Sequence, residues 1–288
     1  MKDFFKNVLA TVVGIILTFV IMGIFGIMGI IGMVASTEQS KNVEDNSVLV
    51  LNMTGTLSER AESNPFSDIM GKVAKSNGLD DILKAIEKAK DNDKIKGIYI
   101  EAGLFSPDSY ASLQAIRRAL SDFKKSGKWI VAYGDSYTQG VYYLASVADK
   151  LYINPQGQID WHGIAAERMY MKDLMAKFGV KMQVTKVGTY KSATEQFTND
   201  KMCDADREQT TAIINGVWKN VVNEVAASRK LTAAKLNSYA DSLITFASTN
   251  DYVKMGLADG VLYNDQVKDA VKKMLKIDAD EEIKQLSI

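Results

Sequence analysis

Trp129-Ile-Val-Ala-Tyr133, Gly140-Val-Tyr-Tyr-Leu-Ala-Ser-Val-Ala148 and Lys150-Leu-Tyr-Ile153 follow one another almost without a gap. The outer two runs are short, apolar and rich in β-branched and aromatic residues, the composition of buried strands. The middle run reads as a short apolar helix joining them. The same alternation continues upstream. Val48–Met53 and Gly97–Ile100 read as strands, and Leu79–Lys90 and Ser109–Lys125 as amphipathic helices with apolar residues at helical spacing. Asp80-Asp81 at the start of Leu79–Lys90 and lysines at its end suit the helix dipole. Downstream, Val180–Val187 predicts one more strand, followed by helices over Asp204–Arg229, Thr232–Ser242 and Gln266–Leu275. Strands alternating with helices imply right-handed crossovers and a mostly parallel sheet, so the fold class is α/β.

The N-terminus has a different character. Lys2 and Lys6 precede Val8–Ala35, which contains no charged residue. About 20 apolar helical residues suffice to cross a bilayer core of roughly 30 Å, and this run exceeds both that length and a signal-peptide core. Val34-Ala35-Ser36 matches a small-residue cleavage site only loosely. The lysines before the span, and the acidic excess of Glu38, Glu44 and Asp45 after it, predict a cytoplasmic N-terminus and an external body. The expected organisation is a membrane anchor over 1–35, a polar linker over 36–47 and a catalytic-type α/β domain over 48–288. The residues between Thr54 and Asn77 read as a loop.

Composition excludes several functions. The 35 basic and 35 acidic residues balance, without a basic patch to favour nucleic acid. The single cysteine, Cys203, has no intrachain partner, and one His with one Cys cannot build a Cys/His metal cluster. Gly134–Gly140 lacks the Gly-Lys-Ser/Thr ending of a phosphate loop and the close glycine spacing of a dinucleotide site. A Ser-His-Asp triad would have to use His162, which reads instead as a hydrogen-bonded turn residue. No cofactor is implied.

Val187-Gly-Thr-Tyr-Lys-Ser-Ala-Thr-Glu195 carries the remaining chemical signal. Ser192-x-x-Glu195 is a capping-box pattern that predicts a helix starting near Ser192. Lys191 would then stand before a helix N-terminus, where the dipole disfavours a positive charge and so favours the neutral amine. A neutral lysine amine can accept a proton, which makes Lys191 a candidate general base; a solvated surface lysine is the alternative.

Lys186–Phe197, Tyr137–Ser146, Asn154-Pro-Gln-Gly157 and Asp160-Trp-His-Gly163 together resemble the signal peptide peptidase A family in its long, double-domain form, with order and spacing kept from the N-terminal span to about Leu262. The resemblance implies a crotonase/ClpP-like fold and a Ser/Lys dyad that cleaves remnant signal peptides in the bacterial envelope. It places the body on the periplasmic side of the inner membrane and implies a homo-oligomer. Lys191 matches the family's general base. The nucleophilic serine belongs to a second, C-terminal half. At the corresponding strand-to-helix turn this chain has Gln139, within Thr138-Gln-Gly-Val-Tyr142, and an amide is not a nucleophile. The family's glycine-rich oxyanion loop corresponds to Ala102–Pro107, with one glycine. Ser136, Ser146 and Ser192 read as turn, core or capping residues. The resemblance therefore implies the base-bearing half of a serine endopeptidase, with a non-catalytic envelope scaffold as the alternative. An acyl-thioester enzyme, suggested by fold analogy alone, conflicts with the external topology.

Overall fold

The computed structural model describes residues 2–37, 43–61 and 76–288. Residues 38–42 of the expected linker and 62–75 of the expected loop lie outside them. The chain divides into two compact units, Met1–Val43 and Glu44–Ile288. The first is built on one helix, α1 (Lys2–Thr37). Its Lys2–Gly26 portion is long and apolar enough to cross a membrane. At 1.5 Å per residue, it measures about 37 Å.

The second unit is organised around a seven-stranded sheet. In chain order its elements begin β1 (Ser47–Ser58), β2 (Ser76–Gly78), α2 (Leu79–Asp91), β3 (Ile95–Ser106), α3 (Tyr110–Lys124), β4 (Trp129–Tyr137), α4 (Gln139–Ala145) and β5 (Lys150–Ile159). Two short helices follow, α5 (Lys172–Lys177) and α6 (Glu195–Thr198), and then the long α7 (Asp204–Arg229) and α8 (Ala233–Asp241). A 3-10 turn (Ile244–Phe246), α9 (Thr249–Lys254), β6 (Gly260–Val261), α10 (Asn264–Leu275) and β7 (Gln285–Ser287) complete the unit. The strand order is β2-β1-β3-β4-β5-β6, with β7 also on β1, and every pairing is parallel. The α/β expectation, a mostly parallel sheet with crossover helices, is borne out.

Strand periodicity explains how both faces are covered, because successive side chains point to opposite sides. Val48, Val131 and Tyr133 pack with Val267, Val271 and Leu275 of α10 on one face. The alternating partners, including Leu49, Leu51, Ile98, Ile100, Ile130 and Ile153, are buried, as are Ile82 and Ile86 of α2 and Leu113, Ile116 and Leu120 of α3. A sheet buried on both faces produces the continuous apolar runs seen in the sequence. Gly97 is required by close approach: it pairs with Trp129 across the strands, and a Cβ there would stand 2.3 Å from the indole.

One expected strand is absent. Val180–Val187 has the alternation of a strand but forms none, and its residues are largely exposed. Among the described residues its one backbone–backbone bond is at its start, from the Val180 amide to the Met175 carbonyl at 3.0 Å. It pairs with no strand among the described residues, and a β-prone segment without a ladder partner stays irregular. The strands at the sheet centre are longer than their apolar runs. β3 continues through Ala102–Ser106, so the one-glycine segment Ala102–Pro107, the counterpart of a glycine-rich loop in the resembled family, is strand up to Ser106.

Candidate functional site

The site grows from the carboxyl ends of β4 and β5, the edge at which open parallel sheets place ligand crevices. β4 ends at Tyr137, and Thr138 caps α4 by accepting a hydrogen bond from the Val141 amide. Gln139, the first residue of α4, turns inward and is buried. Its amide nitrogen donates to Tyr110 Oη at 2.8 Å and to the Gly163 carbonyl at 2.9 Å. Its amide oxygen accepts from the His162 and Gly163 backbone nitrogens at 3.0 and 2.9 Å. A primary amide has two donors and two principal acceptor sites, and all four are used. The residue expected at the nucleophile position is thus a structural knot, locking the strand-to-helix turn to the segment leaving β5.

That segment is anchored again two residues earlier. Trp161 is fully buried, donates Nε1 to the Leu236 carbonyl at 2.9 Å, and stacks edge-on against Tyr142. Asp160 Oδ1 lies 3.1 Å from His162 Nδ1 and accepts from Thr245 Oγ1 at 3.0 Å. His162 is half-exposed and its imidazole meets no serine among the described residues, in line with a turn histidine. Ser146 is a core residue, accepting from Arg117 and donating to the Tyr143 carbonyl.

Beyond Gly163 the chain runs as an arm to Lys191, with α5 as its only regular element and with Met169, Leu174, Phe178, Val180 and Val187 exposed. It re-enters the body at Ser192, which is buried. Lys191 stands at that re-entry, exposed, and its ammonium makes no hydrogen bond or ion pair among the described residues. Gly188 precedes it at φ +101°, a backbone conformation open mainly to glycine, with Lys191 Cγ packed 3.8 Å from where a Cβ would stand.

The capping box expected at Ser192 does not form. The helix is a single turn beginning at Glu195, and Ser192 Oγ turns away from it to donate to Asp206 Oδ1 at 2.7 Å. Glu195 is buried and accepts from Lys186 Nζ at 3.0 Å and from the Cys203 thiol at 3.3 Å. Those two bonds, the thiol's first, hold its carboxyl below the usual range. A tertiary carboxylate won the Ser192 hydroxyl over the local cap, so no helix starts directly after Lys191, which is exposed.

Asp206 is fully buried in the first turn of α7. Arg168, from the arm, donates to its Oδ2 at 2.6 Å, and Gln209 donates to its Oδ1 at 3.1 Å. Burial pushes this carboxyl up, but the bonds from Ser192 and Gln209 and the Arg168 charge outweigh it and hold it low. Cys203 caps α7, its sulfur accepting from the Asp206 amide. Neither Asp206 nor Tyr110 stood out in the sequence; the acidic start of α7 reads as an ordinary favourable helix beginning.

The fold and site define a class: a parallel α/β domain whose strand-to-helix turn is sealed by an amide and whose Lys191 is displayed on a separate loop. The chain belongs to peptidase family S49, whose family model matches residues 122–278, more than half of its length. It is 37% identical over 204 residues to Protease 4 of Salmonella typhi, an alignment covering 68% of this chain and 33% of that protein. Protease 4 of Haemophilus influenzae is 33% identical over 200 residues, covering 67% and 32% respectively. The chain thus spans about a third of the length of these curated relatives. Among solved structures, a membrane-bound stomatin-specific protease superposes with a TM-score of 0.48 at 12% identity, covering 85% of this chain and 98% of that one.

Proposed function

We propose that this chain is the base-bearing part of an S49 serine endopeptidase. Lys191, as a neutral amine, takes the proton from a serine carried by a C-terminal half or another subunit. The serine attacks a peptide carbonyl, and the resulting lysine ammonium returns the proton to the leaving amine. The observation that carries the reading is the contrast between two positions. Gln139 is saturated by four hydrogen bonds and cannot react, whereas Lys191, in the family's lysine motif, is displayed without a partner among the described residues.

Burial of Lys191 by the serine-bearing half would supply the desolvation that favours the neutral amine. The exposed apolar side chains of the arm, Met169, Phe178 and Val187 among them, support a contact with that half or with a further copy in a homo-oligomer. The apolar α1 supports anchorage in the bacterial inner membrane, with the body on the periplasmic side, and hence substrates already at the membrane: remnant signal peptides. The test compares hydrolysis of an apolar signal-type peptide by this chain alone with hydrolysis by the chain joined to a serine-bearing half. Activity should require the second half. Robust serine-dependent hydrolysis by this chain alone would overturn the division of roles.

A further inference from the structure

Both neighbours of Lys191 are tied to the same short stretch of helix. Tyr190 Oη donates to Glu208 Oε2 at 2.9 Å. Ser192 Oγ donates to Asp206 Oδ1 at 2.7 Å and accepts from Gln209 Nε2 at 2.6 Å. Asp206 also receives Arg168, whose other nitrogen donates to Thr210 Oγ1 at 3.2 Å. Asp206, Glu208 and Gln209 of α7 therefore hold the loop on either side of one lysine, while the lysine itself is exposed. The tightest part of the arrangement is buried: Asp206 is fully inaccessible and Ser192 nearly so.

A general base works only if its nitrogen stays within hydrogen-bond reach of the proton it takes. A flexible four-carbon side chain on a free loop would sample many positions, so fixing its backbone is the available means of control. We infer that the first two turns of α7 form a cradle that presents Lys191, with Asp206 as its principal positioning residue. The inference rests on the proposed role of Lys191 for its purpose. Asp206 does not touch the reacting atoms; it acts through the Ser192 hydroxyl, on the residue next to Lys191. It also fixes where the arm leaves the loop, because Arg168 must stay within reach of the same carboxylate. The site thereby couples the arm's position to the lysine's.

The experiment uses the full chain in mild detergent, with Asp206→Asn, Ser192→Ala and Ser192→Thr variants. Amide hydrogen exchange read by mass spectrometry over residues 186–197 should quicken at least about fivefold in Asp206→Asn and Ser192→Ala. Ser192→Thr, which keeps the hydroxyl, should stay near wild type, and peptides from the central sheet should not change in any variant. Unaltered exchange in both Asp206→Asn and Ser192→Ala would overturn the cradle. In the assembled peptidase, kcat should fall between about tenfold and a hundredfold for these two variants, with KM within about twofold and Thr restoring it. A quickened loop with undiminished kcat would overturn the positioning role. If the wild-type assembly shows no Lys191-dependent hydrolysis, the proposed function fails instead, and the exchange experiment still decides the cradle.

Discussion

Replacing Gln139 tests the structural reading of the strand-to-helix turn. Gln139→Ala removes four hydrogen bonds at once and leaves Tyr110 Oη, the Gly163 carbonyl and the His162 and Gly163 amides to find other partners. At a net worth of about 0.5–1.5 kcal/mol per bond, the four sum to about 2–6 kcal/mol. The partner groups are only partly buried and regain water, which favours the lower half of that range, about 2–4 kcal/mol. For a domain of this size the melting temperature should fall by about 5–15 °C. Denaturant unfolding of the full chain in detergent can follow Trp161, buried one residue before His162. The midpoint should drop without a change in slope. Gln139→Met, which roughly keeps the volume while losing all four bonds, should be destabilised nearly as much. A loss below about 0.5 kcal/mol in both variants would refute the knot, since ordinary surface substitutions stay within that limit. Recovery by Met would assign the role to packing instead.

Arg117 is buried and joins three helices, donating to Ser146 Oγ at 2.8 Å and to the Glu224 carbonyl at 2.8 Å, with Nε 3.3 Å from the Glu224 carboxylate. Arg117→Ala should cost about 3–5 kcal/mol by denaturant titration, and Lys should fail to restore it because it lacks the planar fork. Both Glu195 and Asp206 have folded-state carboxyls held low, so their unfolded forms bind more protons as pH falls. The stability they lend is complete above the ordinary carboxylate range near 4 and is lost below it; Asp206→Asn should flatten that acid limb in a pH series of melting curves. Expressed without α1, residues 44–288 should leave the membrane fraction and keep the circular dichroism of the α/β body, whereas persistent sedimentation with membranes would refute anchorage by α1.

The sheet and its helices were legible in the sequence wherever burial wrote a pattern. Trp129–Ile153 reads directly as strand, helix and strand because β4 and α4 are buried almost throughout and β5 starts with the buried pair Leu151 and Ile153. Helix bounds for Asp204–Arg229 match to the residue because Cys203 caps the start and Lys230, in left-handed conformation, ends it. Sequence pattern and structure part where distant partners override local chemistry. Val180–Val187 alternates like a strand, but a strand requires a pairing partner, and among the described residues it pairs with none. Ser192-x-x-Glu195 spells a capping box, yet Asp206, fourteen positions on, takes the serine and Lys186 and Cys203 take the glutamate.

The candidate site was legible only in part. The motif around Lys191 marks it in the sequence, and the structure adds that it is displayed and that its neighbours are tied down. The inertness of Gln139 followed from amide chemistry, but its role as a knot did not, because its partners Tyr110 and Gly163 are 29 and 24 residues away in sequence. Asp206 carried no sequence signal that distinguishes a buried hub from an exposed helix-start acid.

The central claim is that Lys191 is a base and not a structural residue. Its most direct test is Lys191→Ala in the chain assembled with a serine-bearing half, assayed on a signal-type peptide beside a melting curve. Because Lys191 is exposed and makes no polar contact among the described residues, stability should change by less than about 0.5 kcal/mol. Hydrolysis should nevertheless fall by about 10²–10⁴-fold, the usual contribution of a positioned base. Full activity in that variant, with the fold intact, would contradict the account.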